Sequence, residues 1–223
     1  MQSYGNDWHS REAVCEGLRS LSVRGLNRGT SGNVSVRTAE GMLVTPTGLD
    51  PESLAADHIV SMGLDGRVDA DQLVPSSEWR IHADIYSARP EAQAVVHCHS
   101  PYATILACAR RPIPPMHYMV AAAGGDGIPL AGYATFGSGE LSSAVLAALR
   151  GVSACLLANH GQVAVAASLP AALKLASLVE EMAQCYWGTL AIGGPVLLGE
   201  TAMDEVLEAF ASYGQQRPHT PRE

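Results

Sequence analysis

Lysine is almost missing from this chain: Lys174 is the only one among 223 residues. Charge of either sign is sparse at 16%, and the 14 basic residues are outnumbered by 22 acidic ones, for a formal net charge of -8. Such a balance excludes a broad basic surface of the kind that tracks nucleic acid. Aromatic residues make up only 5%. Apolar runs long enough to span a bilayer are absent; the longest weakly polar stretch, Met119 to Ala131, is broken by Gly124, Gly125, Asp126, Gly127 and Pro129. The opening residues MQSYGNDWHSRE lack the apolar core of a signal peptide. The five cysteines (Cys15, Cys98, Cys108, Cys155 and Cys185) form no CxxC pair and are odd in number, so they read as mostly buried or semi-buried thiols of a reducing compartment. Cytoplasmic location is the resulting expectation. Neither GxxxxGK[ST] nor GxGxxG occurs, which removes the two commonest nucleotide fingerprints.

What is present is a core: 47% of residues are hydrophobic, too many for a disordered chain. No repeat or linker interrupts it, so residues 1–223 are expected to form one domain, with a polar, proline-containing tail at about 215–223 that frays. Helical spacing of Val14, Leu18 and Leu21 predicts a helix over 11–21. Short strands are expected at 33–37, 41–45, 59–62, 94–99, 154–158 and 163–166. Further helices are expected from Ser76–Ser77–Glu78, as serine caps and first-turn carboxylate, to Ala88, and at 102–109, 138–149, 170–190 and 204–213. Helices alternating with short strands point to a layered α/β domain.

Three groups of residues carry chemistry. His97 and His99 bracket Cys98 at the end of the apolar run Ala94–Val96. On a strand, residues two apart point to one face about 7 Å apart at Cα, a spacing that suits chelation of one cation. An isolated HxH is more often two ordinary strand-end histidines, but His160 follows a second apolar strand and offers a third ligand. For His160 a capped loop residue is an equal alternative. Three protein ligands with an open position describe a catalytic metal site. The remaining histidines (His9, His58, His82, His117 and His219) read as surface or packing residues. Ser76, Ser77 and Glu78 at a helix start, the loop Gly29–Asn33 and the turn Thr47–Gly48 could together supply donors to a phosphate, although each alone is an ordinary cap or turn. Tyr118 precedes a run of small residues, and packing is its default role.

Taken in order, GLNRGTSGNVSVR, GMLVTPTG, LVPSSEWRIH, AVVHCH, PMHYMVAAAGG, YATFG and NHG resemble the class II aldolase/adducin-head family over residues 18–213. That resemblance implies a three-layer α/β/α fold around a central, mostly antiparallel sheet. It implies a cyclic homotetramer with active sites at subunit interfaces. It further implies cleavage of a ketose 1-phosphate of the L-fuculose 1-phosphate type to dihydroxyacetone phosphate and a short aldehyde. By position His97, His99 and His160 match zinc ligands, with Co2+ or Mn2+ also acceptable to three imidazoles. Glu78 matches the catalytic carboxylate, able to touch the metal when substrate is absent. Thr30, Asn33, Thr47, Gly48, Ser76 and Ser77 match the phosphate site, Tyr118 a catalytic tyrosine reached from the neighbouring subunit, and Phe136 and Tyr213 the aldehyde pocket. No Schiff-base lysine is needed, in keeping with Lys174 lying away from every motif. Alternatives of the same resemblance are a 5-deoxyribulose or 5-methylthioribulose 1-phosphate aldolase, a pentulose-5-phosphate 4-epimerase, and a non-catalytic adducin-like interaction head. Cys98 and Ser100–Pro101–Tyr102 depart from the family's text beside the histidines and bear on the aldehyde half.

Overall fold

The computed structural model describes residues 4–210. Its centre is a seven-stranded sheet built from β1 (Asn33–Arg37), β2 (Met42–Val44), β3 (Val60–Met62), β4 (Ala94–Cys98), β5 (Leu130–Ala131), β6 (Ala154–Leu157) and β7 (Gly161–Ala166). The spatial order is β3-β2-β1-β4-β7-β6-β5. Every neighbouring pair is antiparallel except β5 with β6. The expected mostly antiparallel mixed α/β architecture is what the chain adopts.

Strand alternation sorts the core into two layers. Val34, Ala94, Val96, Cys98, Leu156 and Ala164 face one side. There they pack against α1 (Tyr4–Val23), α3 (Pro101–Cys108) and α5 (Leu169–Ala191). Met42, Val44, Val95, Cys155, Val163 and Val165 face the other side, with α2 (Trp79–Ala88) and α4 (Gly139–Ala148). Cys98 thus turns away from its histidine neighbours, as its position between them requires. Buried Cys15, Cys98 and Cys155 belong to these layers, while Cys108 and Cys185 are exposed; none is in a disulfide. Among the described residues no helix is long and apolar enough to cross a membrane.

Several boundaries move from their sequence expectation. Helix α1 starts seven residues before Arg11, and i,i+4 contacts rather than burial hold its exposed residues 7–9. Arg11 pairs with Asp7 at 2.8 Å, and the Trp8 indole donates to Glu12 at 3.0 Å. The serines before α2 do not cap it: Glu78 itself occupies the N-cap position, without a side-chain cap bond. Its carboxylate is thereby left to face the sheet. The last helix, α6, spans Glu200–Phe210. The expected aldehyde-pocket residue Tyr213 and the tail at 215–223 lie outside the described residues.

Candidate active site

Local folding brings three strand ends together. Asn33 opens β1 opposite His97 on β4, and His97 pairs across with Val163 on β7. The β6–β7 connection is a three-residue loop, closed by Leu157 opposite Gly161, in which Asn159 takes the left-handed conformation (φ +56°). That loop lifts His160 over the end of β4. Gly161 must be glycine there: a Cβ would stand 2.5 Å from the Cys98 carbonyl oxygen and 2.9 Å from the His99 ring.

The three imidazoles form an almost three-fold arrangement, with ring centroids 4.8 to 4.9 Å apart and planes inclined at 71° to 77°. Glu78 closes the group. Its Oε2 lies 3.0 Å from His97 Nε2, and its Oε1 lies 3.3 Å from His160 Nε2. The Nε2 atoms of His97 and His99 are 3.0 Å apart. Tetrahedral ligands at zinc-like bond lengths of about 2 Å sit about 3.3 Å from one another; here all four ligand atoms lie within 4.8 Å. The residues therefore fit a divalent cation on two independent grounds. Glu78 Oε1 is buried with no hydrogen-bond partner, an orphaned acceptor that a cation would satisfy. His97 Nδ1 lies 2.8 Å from the Gln162 carbonyl oxygen, which only accepts, so Nδ1 carries the proton and Nε2 turns its lone pair to the cluster.

Electrostatics favour neutral ligand nitrogens at His99 and His160. Burial, aided by the neighbouring rings, pushes His99 and His160 down to about 4, so both are neutral donors of lone pairs near pH 7. Burial disfavours charge on Glu78, but His97, His160 and the Asn33 amide outweigh it and hold the carboxyl well below its usual range. Burial would lower His97; the facing carboxylate wins and raises it.

A cleft of about 360 Å³ opens over this group. Thr30, Asn33, Thr47, Gly48, Ser76 and Ser77 all line it, as does Phe136, so these seven expected site residues converge. Tyr118 does not reach the cleft of its own chain; it is half exposed at the start of a 3₁₀ turn, Tyr118–Ala123, stacked on His117. The glycine loop is tied to the histidines through Asn27, whose Oδ1 accepts from the His99 backbone N–H at 3.1 Å while its amide donates to the Ser31 carbonyl. Among the described residues no lysine or arginine lines the cleft, so an anion there would be met by hydroxyls, backbone N–H groups and the N-terminus of α2.

Sequence reasoning missed two participants. Asn159 lines the cleft and accepts from Arg110 Nε at 3.0 Å. His82, read from the sequence as a surface or packing residue, is wholly buried beneath Asn33, where burial pushes it down to about 3. The signal for it was its spacing of four from Glu78.

Neutral His82 has a consequence for stability. Its folded pKa lies below the unfolded value of 6.5, so the unfolded state takes up the proton first as pH falls. The contribution is complete above 6.5 and is lost on descending towards 3, at up to about 1.4 kcal/mol per pH unit. His99 and His160, also pushed down by burial, act in the same direction, so urea midpoints of chelator-treated protein are expected to fall steadily from pH 6.5 to 5; a flat profile would contradict the burial of neutral imidazoles at these positions.

Comparisons with known proteins show the family. The Class II Aldolase and Adducin N-terminal domain family matches residues 12–187. A 5-methylthioribulose-1-phosphate/5-deoxyribulose-1-phosphate aldolase of Rhodospirillum rubrum is 48% identical, over 95% of this chain and 96% of its own. An L-fuculose phosphate aldolase of Escherichia coli O6:H1 is 51% identical, over 85% and 88% respectively. The solved structure of an L-fuculose 1-phosphate aldolase superposes with a TM-score of 0.88 at 36% identity, covering 91% of this chain and 96% of that one. The chain belongs to the class II aldolase and adducin N-terminal domain family, and within it to the aldolases, which are lyases.

Proposed function

We propose that the protein is a zinc-dependent aldolase that cleaves a ketose 1-phosphate of the L-fuculose 1-phosphate type to dihydroxyacetone phosphate and a short aldehyde. One observation carries this reading: a buried carboxylate faces three convergent imidazoles at the floor of a cleft walled by hydroxyls and backbone N–H groups. His97, His99 and His160 would hold a divalent cation, which would supply Lewis-acid stabilisation to the oxyanion developing as the bond breaks. Co2+ or Mn2+ would suit the same donors.

The chain's own residues do the rest. Thr30, Asn33, Thr47, Gly48, Ser76 and Ser77 hold the phosphate and so place C3 beside Glu78. The C4 hydroxyl gives up its proton, the C3–C4 bond breaks, and its electron pair passes towards C3 and the C2 oxygen. Glu78, ionised at rest, takes up from water in the cleft one proton, matching the one released at the C4 oxygen, and delivers it to C3, completing dihydroxyacetone phosphate; in synthesis it removes that proton. Tyr118 of a neighbouring subunit handles the proton of the C4 oxygen, and Phe136 and Tyr213 close over the aldehyde half. The half-exposed, outward placement of Tyr118 supports a site shared between subunits of a homotetramer. The sparse charge and the thiols outside disulfides suit the cytoplasm.

A second reading of the substrate rests on the Rhodospirillum relative, whose similarity runs nearly end to end: 5-methylthioribulose or 5-deoxyribulose 1-phosphate. Ala134 and Phe136 give the cleft some apolar lining, which suits a methyl or thioether terminus. Both readings share the phosphate end, the bond broken and the first product. Comparing kcat/KM for these ketose phosphates side by side separates them.

Sharing of the site between subunits has its own test. Glu78→Gln and Tyr118→Phe proteins, each nearly inactive alone, are expected to regain activity when dissociated and reassembled together. Hybrid assemblies then contain sites with both native residues. A mixture no more active than its parents would place Tyr118 outside the neighbour's site.

A further inference from the structure

Beneath Glu78 two stripes of polar side chains meet. On the helical side Glu78, His82 and Tyr86 follow at intervals of four, a rise of about 6 Å each. On β1, Asn33, Ser35 and Arg37 follow at intervals of two, about 6.7 Å each. The near match of the two repeats lets the stripes interlock. Asn33 Nδ2 lies 3.1 Å from Glu78 Oε2, and Asn33 Oδ1 lies 2.5 Å from His82 Nε2. His82 Nδ1 lies 2.7 Å from Ser35 Oγ, which lies 2.8 Å from the Tyr86 hydroxyl. Arg37 ends the ladder, its guanidinium 4.8 Å from the Tyr86 ring centroid. Asn33, Ser35, Glu78, His82 and Tyr86 are all buried.

Donor counting gives this chain a single direction. A carboxylate only accepts, so Asn33 must present its NH2 to Glu78 and its carbonyl oxygen to His82. That oxygen only accepts, so His82 carries its proton on Nε2. Buried and neutral, the ring has no second proton, so Nδ1 accepts from Ser35 Oγ–H. Ser35 in turn accepts from the Tyr86 O–H. Every hydrogen bond therefore points towards Glu78. Were His82 in the other tautomer, two acceptors would face each other across 2.5 Å, and the Asn33 amide would turn its oxygen to the carboxylate.

We propose that His82 is a positioning residue: as the Nε2–H tautomer, with Ser35 donating to its Nδ1, it locks the Asn33 amide so that its NH2 orients the Glu78 carboxylate for proton transfer at C3. Asn33 thus serves two sides, with its amide bound to Glu78 while its residue borders the phosphate end of the cleft. The proposal rests on Glu78 being the proton carrier.

Histidine ¹⁵N NMR on the wild-type protein reads the tautomer directly, whether or not a substrate is turned over. A protonated Nε2 and a bare Nδ1 on His82 are expected; the reverse pattern overturns the proposal. Kinetics of two variants follow. His82→Leu removes the donor to Asn33 and is expected to lower kcat about 10–100-fold with a smaller change in KM. His82→Gln keeps an N–H at the Nε2 position and is expected to recover most of that loss. Equal rates for the Leu and Gln variants would mean that His82 only fills space, and would overturn the proposal. Should His82→Leu fail to fold, Ser35→Ala takes its place. It leaves His82 Nδ1 without its donor and is expected to loosen the ring and lower kcat, and an unchanged kcat counts against the proposal. If wild-type protein cleaves no ketose phosphate, the functional reading fails separately, and the tautomer measurement still decides the direction of the chain.

Discussion

Replacing Glu78 with glutamine is expected to lower cleavage by about 10²–10⁴-fold while leaving the fold and the bound metal in place. The substitution keeps the shape of the side chain and removes its ability to carry a proton. Three imidazoles still face one another within reach of a cation, so metal content should stay near one per subunit. Loss should appear in kcat rather than KM, because the phosphate end is held by other residues. Glu78 Oε1 has no hydrogen-bond partner, and Oε2 accepts from Asn33 and faces only the His97 ring besides, so the carboxylate is not committed to structural bonds elsewhere. Steady-state kinetics, metal analysis and a thermal melt on one preparation check all three statements. Full activity in this variant would remove Glu78 from the chemistry.

His97→Ala is expected to abolish metal binding at micromolar concentrations and to destabilise the protein as well. His97 is fully buried and central: it touches Glu78, His99 and the Gln162 carbonyl at 2.8 to 3.0 Å. Its loss leaves the Glu78 carboxylate buried without its main partner, a change worth about 3–5 kcal/mol for buried pairs. The exposed His9 supplies the control, since His9→Ala should keep both metal and stability. Unchanged metal content in His97→Ala would exclude His97 from the ligand set.

Much of the site could be seen in the sequence because strand alternation is strict. His97, Cys98 and His99 had to split between two faces, and the apolar run before them marked the strand. The core face taken by Cys98 and the cluster formed by the histidines follow directly. Asn33, Ser76 and Glu78 converge because β1 lies beside β4 and α2 begins above both, which is a matter of topology that no local pattern contains. For those residues the resemblance to a family, not periodicity, supplied the link.

Misses have local causes. Strand β5 is two residues long, Leu130–Ala131, and owes its existence to β6 alongside rather than to its own pattern. The 3₁₀ turn at Tyr118–Ala123 is held by the His117 ring, which accepts from the Met119 N–H at 3.1 Å, and small residues there carry no period. His82 sits in polar text, and only the three-dimensional match of a four-residue helical repeat to a two-residue strand repeat turns it inward. Serines 76 and 77 looked like caps, but the Ser76 carbonyl accepts from the Trp79 N–H in a turn, which moves the cap position on to Glu78.

Release of dihydroxyacetone phosphate, read in a coupled assay with and without chelator, tests the central reading most directly. Metal-loaded enzyme would be given L-fuculose 1-phosphate, 5-deoxyribulose 1-phosphate and 5-methylthioribulose 1-phosphate in parallel. Release that chelator abolishes and added Zn2+ restores is the expected result, with the ranking of kcat/KM naming the aldehyde half. Release unaffected by chelator, or none from any of the three by protein with metal bound, would contradict metal-dependent cleavage of a ketose 1-phosphate at this site.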